Sequence, residues 1–454
     1  VEDCQVKLKE TDQAPCAVSL TPVEKPVQGT VRVPGSKSLT NRALICAAMA
    51  EGTSVLTGVL ESEDTEVMIH AWQSLGLELH WQKDREQVEI LGCGGKPPQL
   101  SGELFVANSG TSIRFLTAAL ATTRGRYTLD GVTRMRERPI GDLLSGLSAL
   151  GANVVSQNRT RVDCPPVLIE GKGLRGGVAK VAGNVSSQFL SGLLMAAPYA
   201  ASEVQIAVDG ELVSRPYVDM TIAVMREFGV EVHEEAAHFR VPAPRAYRGR
   251  EYQIEPDASA ASYFFGIAAL TKGTVRVEGL DFRSLQGDVE FTRVLERMGC
   301  SVRSGSGYIE VAGGELTGVD VDMNAISDTV QTLAPIALFA KGPTRVRGVA
   351  HNRLKETDRI GDLARELRKF GTRIDEHYDG LTVYPIESQA ALLDNAREPI
   401  FVDTYRDHRM AMGLGMLGLV VPNVFIRDPR CTTKTFPRYF EAVAELTGQL
   451  PRYS

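Results

Sequence analysis

The sequence predicts an α/β protein of two similar halves. Three observations carry that expectation: a sixfold internal repeat, an alternation of buried-helix and strand patterns within each copy, and a polar break midway along the 454 residues. The copies recur roughly every 70–80 residues. Each opens on a residue able to cap a helix and runs straight into small apolar residues. They are SKSLTNRALICAAMA from Ser36, SGTSIRFLTAALA from Ser109, SSQFLSGLLMAAPYA from Ser186, DASAASYFFGIAALT from Asp257, DTVQTLAPIALFA from Asp328 and DHRMAMGLGMLGLV from Asp407. Apolar nearly all round, these six predict deeply buried helices.

A Gly-led run follows most of them: GTSVLTGV at Gly52, GRYTLDGV at Gly125, GTVRVEGL at Gly273 and GPTRVRGV at Gly342. Their β-branched content reads as short strands. A second, amphipathic helix then ends at a glycine between apolar residues, at Gly76, Gly151, Gly229, Gly299 and Gly371, and leads into an alternating strand. Six copies do not suit a solenoid, because a wholly apolar helix needs cover on every side. Two groups of three suit better. The break falls in VPAPRAYRGREYQIEPDAS, with a return crossing near VRVPGSKS. One domain is therefore expected over residues 35–255, and the other over 1–34 together with 256–454.

A hydrophobic content of 43% allows more than one core. The net charge of −6 gives no general attraction for nucleic acid, so an anionic ligand must be drawn by local Arg and Lys. Cys4, Cys16, Cys46, Cys93, Cys164, Cys300 and Cys431 form no CxxC pair, which fits free thiols in a reducing compartment. No run approaches about 18 apolar residues. The opening VEDCQVKLKE lacks both a signal core and an Arg/Ser-rich transit character. The expected location is the cytoplasm, with no membrane or nucleic-acid partner. The start at Val1 rather than Met allows for an upstream segment removed from an organellar form.

The helix starts carry the chemistry. Ser36-Lys37-Ser38, Asn108 to Thr111, Ser186-Ser187-Gln188, Asp328 and Asp407-His408-Arg409 put polar groups where free N–H groups and the positive helix end already favour anions. Converging between two domains, they would make an anion-binding cleft. Ser38 and Arg42 stand four apart on one helical face. The segment is not a nucleotide phosphate loop, since Lys37 follows Ser36 and Val31 stands where that pattern has its first Gly. RMRERP supplies Arg134, Arg136 and Arg138. In KETDR, Lys355 and Arg359 would share a helical face, a repulsion that a shared anion would relieve. Arg409 and Lys434, the latter among small and apolar residues, extend the set. A solvated charged surface remains the bland alternative for each segment alone. HEEAAH, from His233 to His238, has the wrong spacing for a helical zinc pair, so no metal is expected.

Taken in order, PGSKSLTNRA, NSGTSIR, RMRERP, SSQFLSGLLM, KETDR, DHRMAM and CTTKTFP resemble the 5-enolpyruvylshikimate-3-phosphate synthase family of enolpyruvyl transferases over almost the whole chain. The resemblance implies two domains of three βαβαββ-type units each, inverse α/β barrel-like, closing on ligand in the cleft between them. It implies a monomer without cofactor that moves the enolpyruvyl group of phosphoenolpyruvate to the 5-hydroxyl of shikimate 3-phosphate. For the acceptor it implies Lys37, Ser38, Arg42, Ser186, Ser187, Gln188, Ser214, Tyr217, Asp328 and Lys355. For phosphoenolpyruvate it implies Lys37, Gly110, Arg138, Gln188, Arg359, Arg409 and Lys434. Acid–base roles fall to Asp328, Glu356 and Lys37.

Three positions depart from the family's pattern. Ser109 stands where Ala is usual, Phe115 where Pro precedes Leu, and His351 where Asn is frequent. The first two lie near Gly110 and bear on the inhibitor glyphosate, which occupies the phosphoenolpyruvate site in this family. His351 is left off the binding set. Two other readings stay open: a transferase acting on UDP-N-acetylglucosamine, whose family uses a loop Cys not evident here, and a non-catalytic anion binder of the same fold.

Overall fold

Gly76, Gly151, Gly229, Gly299 and Gly371 take φ between 76° and 111°, the left-handed region in which a Cβ is strained. Each ends an outer helix and turns the chain into a strand. The computed structural model describes residues 17–454; Cys4, Cys16 and the first part of the second expected domain lie outside them.

Every copy of the repeat builds one four-stranded sheet. In the second copy, Ser101–Phe105 runs parallel to Arg126–Asp130, which pairs antiparallel with Val167–Glu170, itself antiparallel to Asn153–Ser156. Three sheets borrow strands from distant sequence, one of them by setting Ala17–Ser19 antiparallel to Val424–Arg427 of the sixth copy. Glu251–Gln253, at the end of the third copy, runs parallel to Glu51–Thr57 of the first. Gln28–Val31, near the N-terminus, runs parallel to Thr274–Glu278 of the fourth. The polar stretch around residue 250 therefore returns the chain to its own first sheet. The six sheets stay separate, and none closes into a barrel among the described residues.

The inner helices Lys37–Met49, Gly110–Ala121 and Ser187–Ala196 pack on one another inside one apolar core, whose members run from Leu39 to Ile254. Ala258–Thr271, Val330–Ala337 and His408–Gly415 do the same in a second core, drawn from Val18 to Val33 and from Ala258 to Val443. All twelve residues of Gly110–Ala121 are buried, as the absence of a polar face requires. No described helix is long and apolar enough to cross a membrane.

Five inner helices are capped as the sequence suggests, by Ser36, Ser109, Ser186, Asp257 and Asp407. The sixth is not. Asp328 lies in a 3₁₀ turn, Asn324–Thr329, and its carboxylate serves Arg359 and Arg409 instead. A cap contributes about 1 kcal/mol, while a buried guanidinium stripped of its partner costs about 3–5 kcal/mol, so the cations win. The helical reading of KETDR is also corrected. Lys355 is extended, and the helix begins only at Gly361, because Asp358 accepts from the amides of Ile360 and Gly361 and turns the chain there. HEEAAH forms an antiparallel hairpin, His233–Glu235 with His238–Val241.

Candidate active site

Helix starts from both cores meet at one place. All ten residues expected around the acceptor line a single cavity, together with Thr111, Val185, Val213 and His351. An adjoining opening is lined by Glu356, Lys434, Asn108, Arg134, Arg406, Arg430 and Cys431. A larger cavity lies elsewhere, between Pro22–Pro26 and Leu338–Ala340, and holds none of these groups.

Arg42 is fully buried, and among the described residues no carboxylate pairs with it. Its Nε donates to Thr221 Oγ1 at 2.7 Å, and its two terminal nitrogens donate to the carbonyls of Ser38 (2.8 Å) and Tyr217 (3.0 Å). Burial lowers its guanidinium to about 10, with Tyr217 opposing. A guanidinium held only by neutral oxygens keeps its attraction for an anion. The Phe115 ring lies 5.2 Å from Arg42 Cζ, so the unusual residue in this helix supports the cation. Ser214 takes φ +53°, with its amide donating to Asn324 Oδ1 at 2.9 Å. Its hydroxyl sits 3.2 Å from His351 Nε2 and 3.3 Å from Ser327 Oγ. Burial, then Lys355, lowers His351 to about 3, which leaves the imidazole neutral.

A dense charge network lies beside this pocket. Arg359 reaches Asp407 at 2.7 Å, Glu356 at 2.9 Å and Asp328 Oδ1 at 3.1 Å. Arg409 donates to Asp328 Oδ2 at 2.7 Å, and Lys355 stands 3.7 Å from Asp328. Burial alone would raise Asp328, but Arg409, Lys355, Arg359 and Lys37 outweigh it and hold the carboxyl well below its usual range. Glu356 follows the same logic: burial raises it, and Arg359, Arg138, Lys434 and Lys37 together bring it well below. Burial lowers the ammonium of Lys37, with Asp64 and Glu356 opposing. Burial also lowers Lys355, against the pull of Asp328.

Gly110 opens the remaining wall. A Cβ there would lie 2.5 Å from Arg138 Nη2 and 2.7 Å from Arg114 Nη1. Arg138 donates to the Asn108 carbonyl at 3.0 Å and stands 3.9 Å from Glu356. Lys434 donates to Asp64 Oδ1 at 2.7 Å and to the Asn108 carbonyl at 3.0 Å, joining the two cores.

The phosphoenolpyruvate set of the sequence reading thus gathers on one side of the pocket, with Gln188 accepting from Arg114 Nη1 at 2.7 Å. Sequence reasoning missed Arg114 and Asp64, which orient these groups, and read Asp407 only as a helix start, whereas it also holds Arg359. It also missed Cys431, three residues before Lys434 at the opening.

A family model described as EPSP synthase (3-phosphoshikimate 1-carboxyvinyltransferase) matches residues 22–443. The chain belongs to the EPSP synthase family. A 3-phosphoshikimate 1-carboxyvinyltransferase of Sulfurovum sp. is 45% identical over 438 residues, covering 95% of this chain and 99% of the relative. One from Serratia proteamaculans is 45% identical over 436 residues, with the same coverage. EPSP synthase of Acinetobacter baumannii has the same fold, with a TM-score of 0.78 at 27% identity over 96% of this chain and 99% of that one. For an EPSP synthase family member, the separate sheets and paired cores are the expected frame, and the charged cleft lies where helix starts from both cores meet.

Proposed function

We propose that this chain transfers the enolpyruvyl group of phosphoenolpyruvate to the 5-hydroxyl of shikimate 3-phosphate, releasing phosphate, as a step toward aromatic amino acids. The observation that carries the reading is the convergence of cations and hydroxyls from both cores on one cleft. We take residues 35–255 as one closing body, and 1–34 with 256–454 as the other, acting as a monomer in the cytoplasm. Ser186, Ser187 and Ser214 receive the 3-phosphate, Arg42 the ring carboxylate, and Lys355 with Asp328 the ring hydroxyls. Lys37, Arg138, Arg359, Arg409 and Lys434 face the anionic phosphoenolpyruvate.

The chemistry follows from the charges. Asp328 borders the acceptor cavity as a carboxylate and takes the proton of the 5-hydroxyl, whose oxygen attacks C2 of phosphoenolpyruvate. Glu356 and Lys37 serve the methylene carbon, which gains a proton as C2 becomes cationic. Bound phosphoenolpyruvate offsets the surrounding cations, which raises Glu356 toward a value at which it can hold and pass a proton. Phosphate then leaves the tetrahedral intermediate, its charge met by the same cations.

Calorimetric titration with shikimate 3-phosphate and with UDP-N-acetylglucosamine tests the acceptor. Saturable binding of the first alone is expected; binding of the second alone would transfer the assignment, with Cys431 as the acid to examine.

A further inference from the structure

Asp288 is a buried acid that the proposed chemistry leaves unused. It lies in the 3₁₀ turn Gly287–Glu290 and is 5% exposed. The Tyr217 hydroxyl, from helix Pro216–Glu227 of the other core, stands between two carboxylates: 3.2 Å from Asp288 Oδ2 and 3.1 Å from Asp328 Oδ2. We infer that Asp288 is a positioning residue whose charge, relayed through the Tyr217 hydroxyl, decides how readily Asp328 takes the acceptor's proton. The inference rests on the role of Asp328 proposed above.

A phenol carries a single hydrogen and can donate it to only one carboxylate at a time. With Asp288 ionised, two negative groups compete for that hydrogen, and the like charge makes Asp328 a stronger base. With Asp288 protonated, it donates to the Tyr217 oxygen, whose own hydrogen then points to Asp328 and weakens it as a base. In the step itself the acceptor O–H bond breaks, its proton goes to an Asp328 oxygen, and its electron pair forms the new C–O bond.

The surroundings of Asp288 divide the labour. Asp328 is served directly by Arg359, Arg409 and Lys355. Asp288 receives only hydroxyls, from Tyr217 and Ser259, while its Oδ1 is buried without a hydrogen-bond partner. The groups facing it are Asp257 and Ser259 at the start of helix Ala258–Thr271, Asp328 on its turn, Arg409 on helix His408–Gly415, and Tyr217. Burial, then the charge of Asp328, raises Asp288 to about 6, against Ser259 and Arg409. Tyr217 comes from the opposite core, so the bridge depends on the two cores meeting.

The test is kcat at saturating substrates from pH 5 to 9 for the wild type, Asp288→Asn, Tyr217→Phe and the double variant. Substrate phosphates also titrate near pH 6, so the readout is the difference between profiles. Asn mimics the protonated acid, and Asp288→Asn is expected to match the wild type near pH 5 and to fall about tenfold below it at pH 8. Tyr217→Phe should remove the same pH-dependent component, and the double variant should add less than about twofold to either single change. An Asp288→Asn profile parallel to the wild type at every pH would overturn the inference. So would a Tyr217→Phe profile parallel to the wild type, which decides the matter even if Asp288→Asn does not fold. Failure of the parent reading looks different: Asp328→Asn would then keep wild-type turnover.

Discussion

Replacing Gly110 by Ala should damage the phosphoenolpyruvate side of the site and spare the acceptor side. Its φ lies outside the left-handed region, so the obstacle is space rather than backbone strain. The new Cβ would lie 2.5 Å from Arg138 Nη2, and ordinary contact begins at 3.4 Å, so that guanidinium must retreat by 3.4 − 2.5 = 0.9 Å. It cannot swing into solvent. Arg138 is 3% exposed and tied to Asn108, and Arg114 is 4% exposed and tied to Gln188 and the Pro139 carbonyl. Misplacing a binding cation by about 1 Å lowers kcat/KM by roughly 10- to 100-fold, or about 1.4–2.7 kcal/mol. Initial-rate kinetics with each substrate varied should show the loss mainly as a higher KM for phosphoenolpyruvate, with the KM for shikimate 3-phosphate within about twofold of wild type. An unchanged KM for phosphoenolpyruvate, or an equal rise for both substrates, would refute the placement of Gly110 against those cations.

Other outcomes follow from the same geometry. Glu356→Gln should suppress turnover by about 100-fold or more while leaving acceptor affinity nearly intact; kinetics beside calorimetry decide, and equal losses would contradict an acid–base role. Arg359→Met strips one cation from three buried carboxylates and should cost about 3–5 kcal/mol at pH 7 by urea unfolding. Because the cations hold Asp328 and Glu356 low in the folded protein, their contribution is complete above the ordinary carboxyl range and is lost as pH falls through their depressed values. The wild-type advantage over Arg359→Met should therefore shrink toward pH 3, and a constant gap would contradict that account. Phe115→Leu removes the ring beside Arg42 and, at about 0.5–2 kcal/mol, should weaken shikimate 3-phosphate binding by roughly 2- to 30-fold. Calorimetry checks this, and an equal effect on phosphoenolpyruvate would argue against a local cause.

The repeat was legible because each copy writes the same two signals: an all-apolar helix after a capping residue, and a glycine in the left-handed region after an amphipathic one. Ser36, Ser109 and Gly299 announced their conformations by residue type alone. Asp328 did not, since local preference favoured a cap and two distant arginines claimed the carboxylate. KETDR misled for a related reason: spacing four suggests a shared helical face, but Asp358 folds back on the next amides, and Lys355 and Arg359 meet Asp328 from an irregular turn. Asp64, Tyr217 and Asp288 exert their effects only across the meeting of two cores. No spacing along the chain encodes that Lys434 finds a carboxylate 370 residues away. The residues proposed to face substrate sit in short dense motifs, whereas Asp64, which holds Lys434, lies outside them and is visible only once the fold is built.

The most direct measurement is release of inorganic phosphate when the purified protein meets phosphoenolpyruvate and shikimate 3-phosphate, with each omitted in turn, in the presence of a chelator. The account predicts release only when both are present, matched mole for mole by a new enolpyruvyl ether of shikimate 3-phosphate. No release from folded protein that still binds shikimate 3-phosphate would contradict it and leave an anion-binding protein of the same fold.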